Sequence, residues 1–178
     1  EAGLLGSDYY AANPVFPLSQ TAAGLNFDGI YPVGPARDVT VIGAGKSELD
    51  GYLARALAEV GRTATPDRSP EAGFYYRSDH FSLAKRGVPM FDLKSGQDLI
   101  DGGTATGSEF AIRFRSEAYH GPADEYDAAW DWTGPMEDLK LHYRLARMLG
   151  ESADWPNWLP EDEFRRIRDE SCAGEGGC

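Results

Sequence analysis

Asp38-Val39-Thr40-Val41-Ile42-Gly43-Ala44-Gly45-Lys46-Ser47-Glu48-Leu49-Asp50, running on as GYLARALAEVG to Gly61, decides the fold class. Residues 38–42 are β-branched and apolar, as in a buried strand. Leu49, Tyr52, Leu53, Ala56, Leu57 and Val60 then recur at helical spacing and form one apolar face. Ser47 with Asp50 makes a capping-box-like pair at the helix start, and Gly61 is placed as its stop. A strand feeding a helix through a tight turn is the repeating unit of α/β proteins.

The turn itself carries no nucleotide chemistry. A dinucleotide fingerprint built on Gly43 and Gly45 needs a third glycine where Glu48 stands. A phosphate loop ending at Gly45-Lys46 needs a glycine where Thr40 stands. Both patterns lack the residue that lets backbone approach a phosphate. Neither H-E-x-x-H nor G-x-S-x-G occurs in the chain.

Moving outward, residues 1–13 read as a helix broken by Pro14, and residues 14–24 as a loop. Leu25-Asn26-Phe27-Asp28 is a short strand ending in an acid. After the central helix, residues 62–76 read as a loop with one short strand. Ser78 is placed as the cap of a helix to about residue 86, and residues 88–93 (VPMFDL) as another strand. Residues 94–118 read as a long polar loop, of the kind that lines sites. Residues 133–149 form the last long helix, and Trp155 and Trp158 lie in an extended strap. The fold class expected is α/β, a central mixed and largely parallel sheet flanked by helices. Residues 1–160 belong to one domain and residues 161–178 to a partly disordered tail. In such sheets the loops beyond the carboxyl ends of strands carry chemistry. Asp28 and the 94–120 region both lie at such positions.

Composition narrows the partners. The 178 residues suit one domain. Lys and Arg number 17 against 29 Asp and Glu, a net charge of -12. That balance offers no electrostatic footprint for nucleic acid or an anionic membrane, and no apolar run is long enough to span a bilayer. Cys172 and Cys178 sit in a glycine-rich tail, where a disulfide would close a small loop outside any core. They are assigned no functional role. Of the three histidines, His142 sits mid-helix and reads as structural, His80 follows Asp79 near a helix start, and His120 follows the long loop.

Four segments together carry a family resemblance. Glu1-Ala2-Gly3-Leu4-Leu5-Gly6-Ser7 resembles the E-E-x-G-L-L-G-S segment of the M28 zinc aminopeptidases, entered at its second glutamate. Asn26-Phe27-Asp28-Gly29-Ile30 resembles the family's N-x-D-M-I, with Gly29 in place of methionine. Arg77-Ser78-Asp79-His80-Phe81 resembles R-S-D-H-F, and Tyr119-His120 with Asp124 resembles Y-H-x-x-x-D. Each segment alone is weak, but their order and spacing together are specific. The resemblance continues through the W-P-x-W segment, residues 155–158.

The resemblance implies a zinc-exopeptidase-like fold, here the carboxyl-terminal part of the catalytic domain and incomplete at its amino terminus. It implies two zinc ions as cofactors and a peptide as substrate. A metal-activated water would remove amino-terminal residues. Carried over position by position, Glu1, Asp28 and His120 are metal ligands, with Glu1 and His120 on one ion and Asp28 on the other. Tyr119 is a catalytic residue that stabilises the oxyanion, and Ser78 and Asp79 lie against the substrate. Carboxylates with an imidazole suit borderline ions of this kind. The family's first histidine, bridging aspartate and general-base glutamate have no counterpart in residues 1–178. This chain is therefore expected to be inactive alone, with the missing half of the domain as its partner. A periplasmic or extracellular location is the family-based expectation. Two other readings share the fold: a non-catalytic binding relative, and a single-zinc transferase resembling glutaminyl cyclase.

Overall fold

The computed structural model describes residues 3–174 and residue 178. In chain order the elements are α1 (Leu5–Ala12), β1 (Gly24–Asn26), β2 (Asp38–Ile42), α2 (Leu49–Val60), β3 (Thr63–Pro66), α3 (His80–Ala84), β4 (Met90–Ser95), α4 (Gly103–Glu117), α5 (Thr133–Glu151) and α6 (Arg165–Cys172). Among the described residues the strands form one sheet in the order β1-β4-β2-β3. β1 runs parallel to β4 and β3 parallel to β2, while β2 and β4 are antiparallel. The fold is thus α/β with a mixed, mostly parallel sheet flanked by helices.

The alternation of side chains along the strands divides the core in two. Val39 and Val41 of β2 and Phe91 and Leu93 of β4 pack against Leu49, Leu53 and Leu57 of α2 and Leu141 and Leu145 of α5. Ile42 and Met90 belong to a second cluster with Ala84, Val88, Trp158 and Phe164. Along β4 the residues between Phe91, Leu93 and Ser95 are Met90, Asp92 and Lys94. That side of the strand is apolar where it starts and charged where it ends. Parallel pairing brings Asn26, the last residue of β1, level with Asp92. The carboxyl ends of both strands therefore carry polar groups at one edge of the sheet, where α/β proteins place their sites.

Several expectations change. The capping pair at α2 does not form: Glu48 precedes the helix, and Asp50 instead accepts the Gly45 backbone N–H at 2.8 Å across the turn. Ser78 likewise does not cap α3, because Asp79 takes the cap position and the Ser78 hydroxyl is used elsewhere. β1 stops at Asn26, so Asp28 lies two residues beyond the strand. The largest correction is at residues 94–118, read as a polar loop, where Gly103–Glu117 are the 15-residue helix α4. Its start, GGTATGS, has the composition of a loop. Only Gly107 and Ala111 on it are buried, so it shows little apolar periodicity. Close packing on the neighbouring chain, supplied by tertiary structure, selects the helix.

Beyond α5, Trp158 and Phe164 belong to the second core cluster, with Ile167 packed against it. Trp158 is fully buried, and its indole N–H donates to the Gly87 carbonyl at 2.8 Å. α6 follows, with Arg168 buried beneath it. Cys172 and Cys178 form a disulfide.

Candidate active site

The site is built outward from the end of β1. Beyond Asn26 the chain leaves the sheet, and Asp28 projects with a largely exposed carboxylate. Its Oδ2 accepts the Ser78 hydroxyl proton at 3.1 Å. The same Ser78 oxygen accepts from Asn26 Nδ2 at 2.9 Å, and that amide nitrogen also donates to Asp92 Oδ1 at 3.0 Å. The hydrogen bonds thus run from the buried Asp92 through Asn26 and Ser78 to Asp28. Ser78 is buried, with its hydroxyl engaged on both sides, while Asp79 beside it is exposed.

Two further groups complete the cluster. Lys94 donates to Asp92 Oδ1 at 3.0 Å and to the Asp28 carbonyl at 3.0 Å. His80 is buried, with Nδ1 3.6 Å from Asp92 Oδ2. Burial holds the His80 imidazole below the usual histidine range, with Asp92 working against that shift. His80 is therefore neutral at pH 7, and Lys94 is the cation facing the buried Asp92 carboxylate. His142, read as structural, supports the strand from the α5 side. Its Nδ1 lies 2.9 Å from the Asp138 carbonyl and its Nε2 3.3 Å from the Asn26 carbonyl.

Asn26, Asp92 and Lys94 were not singled out from sequence, although one signal was present. Asp92 and Lys94 are charged residues two apart in a strand that is otherwise almost entirely apolar. In a buried strand such residues need partners.

Tyr119 and His120 follow α4. His120 has a left-handed backbone, φ 58°, which is uncommon for a residue with a side chain. Its N–H donates to Asp124 Oδ2 at 3.3 Å, which helps hold that turn. The two rings stack at 3.8 Å between centroids, and both side chains face solvent. An observed outlier of this kind is a pointer to function. Glu1 lies outside the described residues.

As donors these residues suit a metal ion. Asp28 offers an exposed carboxylate oxygen held from behind by Ser78, and His120 offers an exposed imidazole. Among the described residues, no group of three or more His, Cys, Asp or Glu side chains comes together as a metal site. Asp28 and His120 therefore do not form a complete cage there. No helix among the described residues is long and apolar enough to cross a membrane.

Residues 1–143 match the family model described as peptidase family M28. The chain belongs to peptidase family M28. No curated protein and no solved structure matches it. As an M28 member it has a metallopeptidase-like function, the hydrolysis of peptide bonds. The match ends at Tyr143, within α5. The strap and α6 lie beyond it, including the W-P-x-W segment that the resemblance had taken in.

Proposed function

We propose that this M28 chain contributes part of the active site of a zinc-dependent aminopeptidase, and that Glu1, Asp28 and His120 are its metal ligands. The observation that carries the reading is the prepared state of Asp28. Metal-ligating groups are characteristically oriented by hydrogen-bonded partners behind them, as Ser78, Asn26 and Asp92 stand behind Asp28. Zinc, when bound, supplies a Lewis acid and an acidified water.

The chain's own residues act around that ion. Asp28 offers one oxygen, with Ser78 holding the other. His120 presents its imidazole from a turn braced by Asp124, and Tyr119, stacked on it, would supply a phenol hydroxyl to stabilise the oxyanion. Asp79, exposed beside Ser78, offers a carboxylate to the substrate's ammonium group. Ser78 reaches the substrate through Asp28.

The test uses the longest form that the gene encodes, assayed with an aminoacyl-nitroanilide and with bound zinc counted. The expected result is chelator-sensitive hydrolysis with two zinc ions per chain, reduced at least about 100-fold by Asp28→Ala or His120→Ala. Hydrolysis that survives both substitutions overturns the reading. One zinc per chain with cyclase activity favours the transferase.

A further inference from the structure

Parallel register places Asn26 beside Asp92. Two residues on along each chain stand Asp28 and Lys94. Lys94 is anchored at its head: its ammonium bonds Asp92 Oδ1, a carboxylate with no exposure, at 3.0 Å. From there it donates to the Asp28 carbonyl at 3.0 Å and stands 3.9 Å from Asp28 Oδ2. Gly29, next along the chain, has φ +65°, which favours glycine, and a Cβ there would meet the lysine stem only at ordinary contact distance, 3.5 Å from Nζ.

We propose that Lys94 is a positioning residue for Asp28. It pins the backbone carbonyl of the ligand while Ser78 holds the carboxylate, so the direction of Asp28 is set at two points that both lead back to Asp92. The charge of Lys94 acts in the opposite sense, because a cation near the carboxylate weakens its attraction for a dication. The ammonium–carboxylate approach is the longer contact and reaches an exposed group that water screens. The carbonyl hydrogen bond, at 3.0 Å, is the closer contact and is made by a side chain that is only 20% exposed. Positioning therefore dominates, and loss of Lys94 weakens metal binding.

This inference rests on Asp28 being a metal ligand, and the experiment separates the two claims. Zinc dissociation constants are measured by competition with a chromophoric chelator on the longest form that the gene encodes, for wild type, Lys94→Met and Lys94→Arg. Circular dichroism confirms that each is folded. Lys94→Met is expected to bind zinc about 10–100-fold more weakly, the range for groups that orient ligands. Lys94→Arg keeps the charge but sets a larger planar head group between Asp92 and the Asp28 carbonyl, and is expected to bind zinc more tightly than Lys94→Met does. If Lys94→Met does not fold, the double variant Asp92→Asn with Lys94→Met removes both buried charges together and is expected to show the same weakening. Equal or tighter zinc binding by a folded Lys94→Met, or by that double variant, overturns the role of Lys94 and leaves the metal reading standing. A wild-type protein that binds no zinc overturns both.

Discussion

His80 sits within the R-S-D-H-F segment, yet its imidazole is buried between the Tyr75 ring, 4.9 Å away between centroids, and Asp92. Its pKa is lowered from 6.5, first by burial and then by the Lys94 charge, against the pull of Asp92 and Asp79. The unfolded chain therefore takes up this proton before the folded chain does. The contribution to stability is complete above the ordinary histidine value and is lost as pH falls below it. Urea midpoints should fall between about pH 7.5 and about pH 5.5, and His80→Asn should flatten that slope. An unchanged slope in the variant would assign the pH dependence elsewhere. The lowered pKa values of Asp8 and Asp169 act in a separate window, from 3.8 downward. At this scale the sequence was informative about identity: Asp28, Ser78, Tyr119 and His120 were all named from their motifs. It was silent about connection. That the Ser78 hydroxyl faces Asp28 rather than capping α3 follows from where β1 lies relative to α3, and residues 28 and 78 are far apart in the chain.

Elements with regular apolar spacing were legible. β2 was read residue for residue, and α2 and the start of α5 closely, because a face buried on one side leaves its period in the sequence. α4 left almost no such trace. Gly107 on that helix packs against the chain entering it: a Cβ would fall 2.2 Å from the Gln97 carbonyl oxygen and 2.8 Å from its carbon. Those atoms are backbone and cannot swing aside. Gly→Ala inside a helix ordinarily stabilises by up to about 1 kcal/mol. Here the clash reverses the sign, and Gly107→Ala should destabilise by about 1–3 kcal/mol in urea unfolding. A stabilised variant would mean that α4 stands off from Gln97.

At the scale of the whole molecule, the region beyond the family match closes one side of the sheet. Arg168 of α6 is fully buried and donates to the carbonyls of Leu18 at 3.1 Å and Thr21 at 3.0 Å. It thereby ties the carboxyl terminus to the turn that leads into β1. Arg168→Met leaves those carbonyls without their charged donor and should cost about 2–4 kcal/mol by urea unfolding. A loss under about 0.5 kcal/mol, the level of an ordinary surface change, would show that α6 does not hold this turn. The strap containing Trp155 and Trp158 was expected from sequence, whereas α6 was not. Its polar sequence RRIRDESC buries one arginine instead of an apolar stripe, so hydropathy gives it no signal.

The sequence by itself determined the α/β class and the family. Those properties reside in local periodicity and in short motifs that each segment carries alone. Tertiary structure decided that α4 is a helix, that α6 docks on the turn before β1, and that Asp92, Asn26, Ser78 and Lys94 converge on Asp28. Each of these depends on backbone and polar groups finding partners many residues away. No one-dimensional pattern encodes which buried donor will meet which acceptor.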